Sequence, residues 1–137
     1  AGYYKVTFHI VDFLGDNSTT LGNVVYCALA ENKFFDVKNV IQQDISNGFL
    51  SEGLPSFFLS TQLNNFILPS LGLNSSIFAD CVNHGTYNDL MKYLDAQLKP
   101  LNISGTPAVF VNGKILDNQT QLFDENGFKT ALGLNTV

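Results

Sequence analysis

The first readable pattern is an alternation. In YYKVTFHIVDF, Tyr4, Val6, Phe8 and Ile10 fall on one side and Lys5, Thr7 and His9 on the other, which predicts a strand over residues 4–12. The polar run GDNSTT then predicts a turn, and LGNVVYCALAEN places Leu21, Val24, Val25, Ala28 and Leu29 at helical spacing around Cys27. FFDVKNVIQQDI repeats that spacing with Phe34, Val37, Val40 and Ile41, and SNGF interrupts it. A helix is expected from Pro55, stopped before Pro69, and a short one over SSIFADCVN carries Cys81. Thr86 with Asp89 resembles a capping box opening a helix striped by Tyr87, Leu90, Met91, Leu94, Leu98 and Leu101, with Pro100 at its end. Two short apolar strands, PAVFV and KIL, flank Asn112-Gly113 and predict a hairpin; a final helix lies in DENGFKTALGL. The order is strand, helices, hairpin, helix: an α/β or α+β domain with a large helical insertion, about residues 18–102.

Composition narrows the function classes. The 137 residues suit one domain, and 45% hydrophobic content with twelve Phe excludes a disordered chain. Seven Lys, no Arg and twelve acidic residues give a net charge of −5, which argues against nucleic acid as a partner. No apolar run is long enough to span a membrane. Charged residues reach only 14%, so Asn, Ser, Thr and Gln must supply the polar surface. Asn17, Asn74, Asn102 and Asn118 each begin an Asn-Xaa-Ser/Thr triplet. Such triplets arise by chance in an Asn-rich chain or mark an extracytoplasmic one, and the composition leans toward the second.

The candidate chemistry is sparse. Cys27 and Cys81 are too few and too far apart for a disulfide framework or a zinc site, and there is no Cys-Xaa-Xaa-Cys. Cys27, inside an apolar helix with no basic neighbour, makes a poor nucleophile, and Asp80 beside Cys81 disfavours a thiolate there. His9 and His84 are isolated, and Asp12, Asp16 and Asp44 are scattered, so neither a metal centre nor a carboxylate dyad is expected. There is no phosphate loop and no Gly-Xaa-Ser-Xaa-Gly. No cofactor is indicated.

The segment SGTPAVFVNGKIL resembles the Gly-Thr-Pro loop and Asn-Gly hairpin of DsbA-like proteins, a branch of the thioredoxin fold. CALAENKFFDVKNVI and LGLNSSIFADCVNHGTYNDLMKYLDAQLKPLNISGTP are similar to that family's helical segments, so the resemblance covers nearly the whole chain. It implies a thioredoxin-like sheet with a helical insertion, and thiol–disulfide oxidoreductase activity. It implies that Pro107 is cis and that Gly105, Thr106 and Pro107 bind extended peptide or unfolded protein through the Thr106 backbone. It also implies a structural disulfide between Cys27 and Cys81, the alternative being two buried free thiols.

The departure from the family is equally specific. In DsbA-like proteins a strand and a helix opening with Cys-Xaa-Xaa-Cys precede the strand that YKVTFHIVDF resembles, and neither is in this sequence. The expectation is therefore a C-terminal portion whose central strand comes from a complementing N-terminal segment or a second copy, with no catalytic residue in this chain. Two rivals remain: a non-catalytic peptide-binding module, and a relative of the kappa-class glutathione transferases and isomerases.

Overall fold

In the computed structural model, residues 4–12, 15–50, 55–103 and 105–134 are described. The chain divides into two compact units, Ala1–Pro100 and Leu101–Val137.

The first unit is helical. Its centre is α1 (Asp16–Cys27), in which Val24, Val25, Tyr26 and Cys27 are buried in succession, followed at once by buried Ala28. A helical turn apolar on every side must be covered on every side, as this last turn of α1 is. α1 packs against α2 (Phe34–Ser46), α3 (Ser56–Gln62), α5 (Ser76–Asn83) and α6 (Asn88–Leu98). Val37 and Ile41 of α2, Leu59 of α3, Phe78 of α5 and Met91 of α6 complete the core, with Leu50, Leu63, Ile67, Leu68 and Leu73 between them. Rings extend it: Tyr26 makes tilted contacts with Tyr87 at 5.6 Å and with Phe34 at 6.0 Å, and Phe35 meets both Phe34 and Phe8 edge-on at 5.2 Å.

Several boundaries differ from the sequence expectation. The polar run expected to be a turn is the first part of α1. Its hydroxyls have found partners that make a helix affordable: Ser18 Oγ donates to the Val11 carbonyl, Thr19 Oγ1 to Asp12 Oδ2, and Thr20 Oγ1 to the Asp16 carbonyl. At its other end α1 stops at Cys27 rather than continuing to Asn32, whose φ of 57° reverses the chain before α2. The helix expected to stop before Pro69 runs through it: a wide π turn, Leu63–Ile67, leads into α4 (Leu68–Ser70). Proline lacks the N–H of a regular helical bond and crowds the carbonyl four residues back, and a widened turn relieves both. Thr86 does not cap α6. Its hydroxyl donates to the Cys81 carbonyl, and Tyr87 takes the N-cap position without a side-chain bond.

The largest correction concerns residues 4–12. They form no strand, and Tyr4, Val6 and Phe8 are about half or more exposed, at 50%, 67% and 48%. The alternation is real, but strand geometry is stabilised by a neighbouring ladder. Among the described residues the only sheet is the pair β1 (Phe110–Val111) and β2 (Lys114–Ile115). The segment is instead laid on helices through alternate residues: Phe8 against Phe35, Ile10 N–H to the Tyr26 hydroxyl at 3.2 Å, and Asp12 toward α6.

The second unit opens with that antiparallel hairpin, in which Phe110 faces Ile115 and Val111 faces Lys114. Asn112 and Gly113, with φ of 50° and 80°, make the left-handed two-residue turn that matches strand twist. The Leu116 N–H reaches the Val109 carbonyl at 2.8 Å, extending the pairing one bond outward. Asp117 then caps a π turn, Asn118–Leu122, accepting from the amides of Gln119 and Thr120 and from the Thr120 hydroxyl. These bonds, the hydroxyl's foremost, hold its carboxyl below the ordinary range. α7 (Glu125–Ala131), capped by Asp124, packs on that turn.

Candidate functional site

The Gly105–Pro107 loop stands directly before the hairpin. Gly105, Thr106 and Pro107 are all exposed, and the Thr106–Pro107 peptide bond is cis. The preceding Ser104 lies outside the described residues. Such an exposed, non-helical stretch presents backbone N–H and C=O groups, the chemistry that a second extended chain can pair with. It carries no thiol, imidazole or carboxylate, so the loop itself has no group that performs thiol exchange.

The two cysteines are far from that role. Cys27, at the end of α1, and Cys81, in α5, form a disulfide with a Cα–Cα distance of 5.9 Å. Cys27 is only 2% exposed. Neither sits at a helix N-terminus beside a second thiol, the arrangement that lowers a thiol pKa for exchange. The bond joins two core helices and serves the fold.

Beside it lies a residue the sequence did not single out. Asn23 is 3% exposed, yet both ends of its amide are used: Nδ2 donates to the Val82 carbonyl at 3.2 Å and Oδ1 accepts the Tyr87 N–H at 2.9 Å. One side chain thus ties α1 to the end of α5 and the start of α6. Asn23→Leu keeps the volume and strands the Tyr87 N–H, so urea unfolding should show a loss of about 1–3 kcal/mol. The next residues outward, Thr20, Asn83, His84 and Asn88, line with Asn23 a polar cleft of about 280 Å³. His84 is exposed, its Nδ1 bonded to the Asp80 carbonyl at 2.8 Å, which makes it a helix-end residue; His9 is exposed on the extended segment.

The carboxylates are the second feature missed. Asp12 is paired after all, with Asp95 on α6, eighty-three residues away. Its N–H donates to Asp95 Oδ1 at 3.4 Å, and Thr19 Oγ1 donates to Asp12 Oδ2 at 2.8 Å. The hydrogen bond from Asp95 holds the Asp12 carboxyl below its ordinary range. Partial burial, and then the bond to Asp12, push Asp95 up to about 6. No sequence signal links two aspartates at that separation. Asp16 and Asp44 remain apart from this pair. Of the four Asn-Xaa-Ser/Thr triplets, Asn17 is buried in α1 at 8% exposure, whereas Asn74, Asn102 and Asn118 are exposed.

Among the described residues no group of three or more His, Cys, Asp or Glu side chains is disposed to hold a metal ion. Comparison with curated proteins and with solved structures yields no match. The family comparison does: residues 1–125 match the family described as Thioredoxin, which takes in the helical unit, the Gly-Thr-Pro loop and the hairpin. The chain belongs to the thioredoxin family.

Proposed function

We propose that this chain is the peptide-binding portion of a DsbA-like thiol–disulfide oxidoreductase. Gly105, Thr106 and Pro107 would receive an extended peptide or unfolded protein, and the helical region of residues 18–102 would be the family's insertion. The redox dithiol belongs to a complementing N-terminal segment, because the only two cysteines here are committed to one another; a second copy could supply the missing strand but not the dithiol. The observation that carries the reading is the exposed Gly105–Pro107 loop at the mouth of the hairpin, inside the family match. The disulfide suits an oxidising, extracytoplasmic compartment, and the exposed Asn74, Asn102 and Asn118 are compatible with it.

A second reading, a binding module without redox chemistry, is favoured by the burial of Cys27. Three measurements test these readings, and the last separates them. Insulin reduction by the chain alone should stay at background, and turnover abolished by Cys27→Ser would overturn the assignment of that bond to structure. Binding of a reduced, unfolded polypeptide, read by fluorescence anisotropy, should weaken at least about tenfold in Thr106→Pro, which deletes the N–H a peptide strand would use, and persist in Thr106→Ser. Equal binding by all three proteins would remove the loop from the site. Adding a peptide that carries the missing strand and Cys-Xaa-Xaa-Cys should create insulin reduction under the first reading and none under the second.

A further inference from the structure

The four Asn-Xaa-Ser/Thr triplets are not equivalent once the chain is folded. Asn17 is 8% exposed inside α1, so a sugar there would have to enter the core or pull the helix from it. Asn74 belongs to the first unit, and the Asn102 triplet ends on Ser104, outside the described residues. Asn118-Gln119-Thr120 is exposed at all three positions and shares the second unit with the Gly105–Pro107 loop.

The local structure leaves the Asn118 amide unused. Asp117 Oδ1 accepts the Gln119 N–H, the Thr120 N–H and the Thr120 hydroxyl, at 3.1, 2.9 and 2.8 Å. The Gln121 side chain accepts the Asp117 N–H, and the Asn118 carbonyl accepts the Phe123 N–H. The turn is closed by backbone groups and by the side chains around Asn118, not by its own. Asn118 also lines an open cleft of about 490 Å³ with Ile115, Leu116 and Gln121. Replacing one Nδ2 hydrogen by a sugar therefore breaks none of these bonds and meets open space.

Position gives the site its consequence. Beyond the β1–β2 pairing, the Leu116 N–H bonds the Val109 carbonyl. Two residues outward on one side stands Pro107, and two residues outward on the other stands Asn118. Two residues reach at most about 7 Å, so Asn118 and the cis-proline loop share one end of the hairpin, within about 20 Å of each other.

We propose that Asn118 is an N-glycan acceptor and that its glycan fences the Gly105–Pro107 loop, admitting extended peptide and turning away folded protein. Fencing rests on the peptide-binding reading of the loop; acceptance of the glycan does not. The donor is a lipid-pyrophosphate-linked oligosaccharide of the secretory pathway. Asn118 Nδ2 forms a bond to C1 of the first sugar, and the C1–O bond to the pyrophosphate breaks with its electron pair on oxygen. The amide gives up one proton, and nothing is oxidised or reduced. The attached group is bulky. A single extended chain pairing with the Thr106 backbone needs only one strand's width, about 5 Å, whereas a folded protein approaches with a broad surface and meets the glycan first.

The test secretes the chain from a eukaryotic cell line, which supplies the donor whatever the native compartment. Peptide N-glycanase in isotope-labelled water marks each released site as a heavy Asp for mass spectrometry. Asn118 should be marked in most molecules, and Asn118 unmarked in secreted, folded protein would overturn the acceptor role. Fluorescence anisotropy then compares this protein with secreted Asn118→Gln, which keeps any sugar at the other triplets. The probe is one short peptide, free or inserted in a surface loop of a compact carrier protein. Free peptide should bind both proteins within about twofold, and the carrier-borne peptide should bind the wild type at least about tenfold more weakly than Asn118→Gln. Equal binding of the carrier by both would overturn the fence. Binding of the free peptide by neither would overturn the loop reading and the fence with it, while the mass measurement judges the acceptor role separately.

Discussion

Replacing Cys27 and Cys81 together by alanine should destabilise the first unit by roughly 4 kcal/mol, a large share of the stability of an ordinary domain. The bridge closes a loop with a sequence separation of 54, and chain-entropy stabilisation grows with the logarithm of that length. Location adds to length. Cys27 ends the most buried helix, whereas Cys81 lies in α5, an eight-residue helix for which Phe78 is the one fully buried anchor. So short a helix has little stability of its own, and the bridge fixes it to the core. Urea unfolding of the wild type, the wild type with reductant, and the double alanine variant should give two transitions displaced alike from the oxidised one. A displacement worth under about 1 kcal/mol would mean that core packing alone restrains α5 in the native state and that the bridge barely constrains the unfolded chain.

How much of this was legible in the sequence depends on whether a signal is local. The apolar spacing of Phe34, Val37 and Ile41 marked α2 because those residues lie on one face of the element they define. Asn112-Gly113 marked the hairpin because the turn demands two left-handed residues in succession. The alternation at residues 4–12 is local too, but a strand is a relation between two segments, and a period of two cannot supply the second. Ser18, Thr19 and Thr20 misled in the opposite direction. Their turn propensity reflects competition of hydroxyls for nearby backbone, which ends once Val11, Asp12 and Asp16 accept them. The Asp12–Asp95 pair and the Asn23 bridge depend wholly on tertiary approach and left no trace in spacing. The loop at Gly105–Pro107 was identified by family resemblance, since Gly-Thr-Pro taken alone is an ordinary turn.

The second large effect lies where α1 meets α6. A side-chain carbon added at Gly22 would overlap the Met91 side chain and come within 3.2 Å of Ile10 Cγ2. Met91 is fully buried at 0% exposure, so it cannot swing into solvent. Gly22→Ala gains up to about 1 kcal/mol of helix propensity and should nevertheless lose a net ~1–3 kcal/mol, because overpacking a closed contact costs more than propensity returns. Met91→Ala should cost about 2–5 kcal/mol for lost burial and the cavity left behind. The decisive measurement is the double variant. If the two positions occupy one shared space, the added methyl falls into the vacated volume, and the pair should be more stable than the sum of the single losses by about 1 kcal/mol or more. Strict additivity, or a Gly22→Ala protein more stable than the wild type, would show that α1 and α6 are held further apart than this contact requires. The same change also reports on the extended segment. Ile10 is the third party to the contact, so widening the α1–α6 approach should lower hydrogen-exchange protection at residues 8–12 before it affects α2.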